Sequence, residues 1–186
     1  EILNGDIHTV NQLSAGLPTR ADAKRFIYAF LYGAGDQKIG SIINGDSLAG
    51  KRIKRKFLEK TPALAKLKKA IEGTLIAKSY QGKVVKWKRK YLIGIDGRPL
   101  YVRSIHSALN MLLQSAGASI CKQWCIRTEE RLVDICGLHH GKDFQFVAWI
   151  HDEFQCLART KEIADLIVTE AQQAIRDVQV AFDFRV

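Results

Sequence analysis

At 186 residues with a formal net charge of +10, the chain can bury the core of one large domain or two small ones, and its charge favours an anionic partner. No apolar run is long enough to cross a bilayer as a helix and none reads as a signal peptide, so no membrane partner is expected. Four cysteines without short, regular pairing speak against a disulfide framework and for a reducing compartment, and a chain beginning at Glu1 rather than Met suggests a segment of something longer.

After a short helix around Leu13, Pro18-Thr19 marks the start of a helix over 20–32, with Asp22 placed as a capping-box variant and Gly33-Ala34-Gly35 as the stop. Ala23, Phe26, Ile27 and Phe30 follow the i, i+3, i+4, i+7 rule and form a packing stripe. Arg20, Lys24, Tyr28 and Tyr32 recur every fourth residue and occupy a neighbouring stripe about 120° wide. Two cations followed by a ring suit a nucleoside triphosphate, with phosphates on Arg20 and Lys24 and sugar and base against Tyr28. A solvated basic turn beside two boundary tyrosines is the plainer alternative.

Helices are expected over 36–44, 49–60 and 62–77, with Asn44-Gly45-Asp46 as a turn. Between Lys51 and Lys90 there are 15 Lys/Arg against Glu59 and Glu72 alone, a local net of +13, so the rest of the chain carries −3. Trp87 and Tyr91 interleave with the last group, Lys86 to Lys90. Basic clusters with embedded aromatics read as a phosphate-backbone footprint rather than a merely solvated face.

From Val84 the period changes. Val84 to Ile95, Asp96-Gly97 and Leu100 to Arg103 form a hairpin signal. Ser104 caps a long helix to about Ile135 whose apolar stripe is Ile105, Leu109, Leu112, Leu113 and Ala116. His106, Asn110 and Gln114 lie beside it in file, and three neutral hydrogen-bonding side chains suit the minor groove, where each base pair offers an acceptor in nearly the same place. Cys121 and Cys125 on that helix, followed by His139-His140, allow a zinc site, but buried thiols are the common case. Next come Phe144 to Ile150, a turn at His151-Asp152, and Phe154 to Ala158. Thr160 opens an amphipathic helix, and Ala181 to Val186 reads as a last strand. Adjacent carboxylates, Asp152 and Glu153, between two apolar strands make a concentrated negative site of the kind divalent cations require.

Together these segments resemble the family A DNA polymerases, those related to bacterial DNA polymerase I, and above all the replicative polymerases of podovirus-type bacteriophages that use host thioredoxin. Arg20-x3-Lys24-x3-Tyr28-x3-Tyr32-Gly33 is similar to the family's fingers-helix motif. His151-Asp152-Glu153 is similar to the palm hairpin motif, Gly5-Asp6-Ile7-His8-Thr9 to a triphosphate-contacting segment, and Ser104 to Gly117 to the palm helix along the minor groove. Four motifs in this order, over the whole chain, are very specific.

The resemblance implies an α+β right-hand polymerase portion: a helical fingers module over 1–83 and the C-terminal half of a palm over 84–186, an antiparallel sheet backed by helices. It implies templated DNA synthesis, with His8, Arg20, Lys24 and Tyr28 binding the incoming dNTP and Lys24 the acid to the leaving pyrophosphate. Tyr32, Arg103, His106, Asn110, Gln114 and His151 would contact primer–template DNA. Asp152, with Glu153 beside it, would ligate magnesium, two ions in the complete site. The family's other aspartate, in a D-x-S-x-x-E-like motif, and its thumb have no counterpart in this sequence. They would come from an upstream segment or a second chain, and thioredoxin would attach to that thumb. A phage-encoded member would work in the cytoplasm of the bacterial host. A non-catalytic nucleic-acid-binding module is the alternative, separated by whether metal binding needs an aspartate in trans. A metal-dependent phosphohydrolase fits poorly, because its His-Asp pair belongs on a helix.

Overall fold

The computed structural model describes residues 6–81, 83–150 and 153–182. Helix α1 (Ile7–Ala15) opens on Asp6, whose side chain accepts from the His8 N–H, and closes at Gly16. Helix α2 (Arg20–Leu31) begins as its sequence dictates: the Thr19 hydroxyl accepts from the Asp22 N–H at 3.1 Å and donates to the Asp22 carboxylate at 2.7 Å. It ends in a Schellman turn, with the Gly33 N–H on the Phe30 carbonyl (3.0 Å) and the Ala34 N–H on the Ala29 carbonyl (2.8 Å). Gly33 takes φ +75°, the left-handed conformation that such a turn requires.

Short α3 (Asp36–Gly40) runs into a 3-10 turn (Ser41–Ile43), and the expected Asn44-Gly45-Asp46 turn leads into α4 (Ser47–Lys60), which Asp46 caps. Proline at the first position starts α5 (Pro62–Leu75). The apolar stripe of α2 is buried as expected: Phe26, Phe30 and Phe57 of α4 meet at ring-centroid distances of 5.1–5.7 Å, and Ala23 is sealed beside them. Each such buried ring contributes about 2 kcal/mol by area.

The β segments depart from the sequence reading. Among the described residues they form three separate antiparallel hairpins: β1 (Ile76–Tyr80) with β2 (Lys83–Trp87), β3 (Tyr91–Ile93) with β4 (Pro99–Tyr101), and β5 (Phe144–Ile150) with β6 (Glu153–Ala158). The run Val84 to Ile95 is therefore two strands with different partners. The expected 62–77 helix stops at Leu75, whose carbonyl accepts from the Lys88 N–H at 2.8 Å, so the chain leaving the helix is captured by the returning strand.

Helix α6 (Ile105–Glu130) starts on the Ser104 cap and continues as a π-helical turn (Arg131–Ile135), as far as the sequence placed it. Leu113, expected on its packed stripe, is exposed. Helix α7 (Lys161–Phe182) runs through Ala181 and Phe182, which corrects the expected final strand at its first two residues; the rest of that strand, 183–186, lies outside the described residues. Ala171, Ala174 and Val178 keep one stripe of α7 buried and carry the helix onward.

The chain divides into two compact units, one of residues 1–94 with 98–113 and one of 95–97 with 114–186. The first holds a core that takes in Leu92, Val102, Ala108 and Leu109. Hence the β3–β4 hairpin and the start of α6 pack with the helical module. In the second, Leu132, Phe144 and Ile167 form the core, and the Arg131 guanidinium pairs with Glu170 (2.7 Å) and Asp177 (3.0 Å) of α7.

Candidate active site

On α2 the packed stripe fixes the rotation of the helix, and this presents Arg20, Lys24 and Tyr28 outward on successive turns. Tyr28 is 51% and Tyr32 62% exposed, and Tyr32 sits as the C-cap, one residue past the helix. The rings are therefore available to a partner rather than part of the core.

His8 is brought to the head of this stripe from another helix. Asp6 accepts from the His8 N–H at 3.0 Å and from the Thr9 hydroxyl at 2.9 Å, and the same carboxylate receives Nε and Nη2 of Arg20, the latter at 3.2 Å. The Arg20 guanidinium holds the Asp6 carboxyl well below the usual carboxylate range, and Asp6 in turn raises the Arg20 pKa. Nδ1 of His8 is buried without a hydrogen-bond partner among the described residues. Asp6 belongs to the Gly5–Thr9 motif, yet the sequence alone gives it no role. An N-cap carboxylate is legible locally, whereas its partner fourteen residues on is not.

At the other end, Gly33 lies against the first turn of α6. A Cβ placed on Gly33 would stand 2.1 Å from the His106 carbonyl oxygen. Lys54 of α4 holds the following loop, donating to the Ala34 carbonyl at 2.6 Å and pairing with Asp36 at 2.8 Å. Phe30, Gly33, Lys54, Lys68, His106 and Leu109 are among the residues lining a 350 Å³ cavity there. The structure thus puts Tyr32, Gly33 and His106 in one neighbourhood. Arg103 is exposed just before α6 and Asn110 is half-buried one turn beyond His106; Gln114 continues the file and is exposed.

Glu153 opens β6 opposite Ile150, exposed and touched at 3.4 Å by the Gln155 amide. His151 and Asp152 lie outside the described residues. A bulge between Phe146 and Ala148 shifts the alternation of β5, so Trp149 pairs with Phe154 on the face carrying Phe146 and Cys156. Glu153 falls with Ile150 on the opposite face, where Leu157 is 61% exposed. Among the described residues the flanking apolar strands are thus covered on one face only.

Among the described residues no group of three His, Cys, Asp or Glu side chains converges on a common point. Cys125, Cys136 and Cys156 are half-buried and burial pushes their thiols up, which keeps them protonated. No helix among the described residues is long and apolar enough to cross a membrane.

The model of "DNA polymerase family A" matches residues 4–186. The chain belongs to the family A DNA polymerases. It is 56% identical over its whole length to a DNA-directed DNA polymerase of Enterobacteria phage T3 and 55% identical to that of Escherichia phage T7, and it spans 27% of each. A polymerase of Escherichia phage Phieco32 is 40% identical over 77% of the chain, which covers 24% of that relative. The chain is therefore about a quarter as long as its phage relatives. Among solved structures, the POL domain of Pol1 from M. smegmatis, in complex with DNA primer-template and dNTP, superposes with a TM-score of 0.72. It matches 95% of this chain and 32% of its own at 16% identity, which supports the α+β polymerase fold expected from the sequence.

Proposed function

We propose that this chain supplies the nucleotide-binding helix and one metal-binding aspartate, Asp152, of a DNA-directed DNA polymerase. The observation that carries this reading is the outward stripe of α2, headed by Arg20 beside His8 and followed by Lys24 and Tyr28. Charge-assisted donors to phosphate and a ring for sugar and base are the chemistry a dNTP requires. In nucleotidyl transfer, Lys24 donates a proton to the leaving pyrophosphate, stabilising charge as it develops. Arg20 and His8 fix the triphosphate, which supplies orientation.

A family A site implies magnesium. The donor chemistry fits in kind: Glu153 offers hard carboxylate oxygens with no ion pair among the described residues, and Asp152 adjoins it in sequence. When bound, the ions would align the attacking 3′-oxygen and neutralise the leaving group. Two ions need more oxygen ligands than one Asp-Glu pair provides, so the remaining aspartate belongs to the upstream part of a complete polymerase.

Lys24→Ala tests the reading in a complete polymerase. The nucleotide-addition rate should fall about a hundredfold, while primer–template affinity stays within about twofold. Equal losses in both would assign Lys24 to DNA and sink the assignment.

Primer–template DNA is the second proposed partner. Lys86, Lys88 and Lys90 are exposed, while Arg89 is half-buried over the Tyr91 ring at 5.1 Å, and Lys90 lies 6.0 Å from the Trp87 ring. The aromatics thus hold the backbone that displays the lysines. Duplex affinity should fall with salt by a log–log slope of about 0.9 per phosphate neutralised. Neutralising Lys86, Lys88, Arg89 and Lys90 together should flatten that slope by about three, the Arg89 contact being internal. A slope left unchanged in filter-binding titrations would return the cluster to a solvated face.

A further inference from the structure

Asp6 spends its carboxylate on four donors from two helices. Oδ1 accepts from the His8 N–H and from Nη2 of Arg20; Oδ2 accepts from the Thr9 hydroxyl and from Nε of Arg20. Two of the three residues assigned to the triphosphate, His8 and Arg20, are therefore referred to one side chain. Arg20 presents five N–H donors in a rigid plane, and Asp6 engages only the edge formed by Nε and Nη2. Among the described residues nothing engages the far edge, Nη1 with the second N–H of Nη2, which leaves it for a bidentate grip on a phosphate, and the side chain is 57% exposed. A guanidinium held on one edge keeps fewer rotamers and loses less entropy when the other edge is engaged.

We propose that Asp6 is a positioning residue for the triphosphate. Its carboxylate fixes the Arg20 guanidinium beside the His8 end of α1, so that the free edge of Arg20 faces the nucleotide. This rests on the assignment of α2 given above. The opposite role, an anion that occupies Arg20 and competes with substrate, has an opposite signature. An exposed ion pair adds little to stability, so the effect should appear in nucleotide binding rather than in folding.

The test is single-nucleotide incorporation by a complete polymerase carrying Asp6→Asn, Arg20→Ala or both, with Asp6→Ala as a second variant. Asparagine is as good an N-cap as aspartate, so α1 and the melting temperature should be retained while the negative charge that pairs with Arg20 is lost. Asp6→Asn should raise the KM for dNTP about tenfold with kcat changed less, and primer–template affinity should stay within about twofold. Asp6→Ala should do the same or more. The double variant should be no worse than Arg20→Ala alone, because Asp6 acts through Arg20. A KM that falls or does not move in Asp6→Asn would overturn the inference, as would effects of Asp6 and Arg20 that simply multiply. Arg20→Ala serves as the separate check: if it leaves KM unchanged, the nucleotide assignment of α2 itself fails. If it raises KM while Asp6→Asn does not, only the role of Asp6 is lost.

Discussion

The isolated 186-residue chain should bind duplex DNA in a salt-sensitive way and add no nucleotides, and Asp152→Ala in a complete polymerase should cut primer extension by about a thousandfold or more. The reason is ligand count. Magnesium holds near-octahedral oxygen coordination at short distances, and two ions at catalytic spacing need carboxylates approaching from more than one side. Asp152 and Glu153 are consecutive, and without a carboxylate facing them from elsewhere they repel one another and bind metal weakly. The aspartate that completes the site is expected in the upstream part of a complete polymerase. Activity should return when that upstream part is supplied as a second chain. Magnesium-dependent extension by this chain alone, in a preparation free of other polymerases, would refute the two-part site.

Gly33→Ala should be strongly destabilising to the helical unit. Its φ of +75° is costly for any residue with a Cβ, about 1–2 kcal/mol. The added carbon would also stand 2.1 Å from the His106 oxygen and 2.7 Å from its carbonyl carbon, both backbone atoms. A rotamer change cannot relieve such a clash; the end of α2 must part from the start of α6. A loss of about 3 kcal/mol or more is expected, a fall in melting temperature of about 6–12 °C at this chain length. Gly35, two residues on, has φ −65°, and a methyl group there would meet nothing within 4 Å among the described residues, so Gly35→Ala should shift stability by no more than about 0.5 kcal/mol. Equal melting temperatures for the two variants would show that the Gly33–His106 approach does not constrain the fold.

Local chemistry in the sequence determined α2 almost completely. Thr19, Asp22 and Gly33 act on their own backbone neighbours, and the 3.6-residue period fixes which face packs, so cap, stop and both stripes follow without knowledge of the rest. The Ser104 start of α6 and the pairing of Ile150 with Glu153 were set in the same local way. The family, too, was legible, because four motifs in order are a property of the chain itself. Tertiary structure decided the rest. Ile76–Tyr80 is almost wholly exposed and carries no period of two, so nothing local distinguishes it from the end of α5; pairing with Lys83–Trp87 makes it a strand. The alternation of Ala181, Phe182 and their successors looks like a strand in isolation, but the buried stripe of α7 carries the helix through both residues. The bulge near Val147 set which face carries Trp149 and which carries Glu153, and a shift of one residue reverses that assignment. Asp6 met Arg20 only because α1 and α2 fold against each other. Capping and periodicity act within a few residues, whereas strand pairing and ion pairs between helices depend on which segments the core brings side by side.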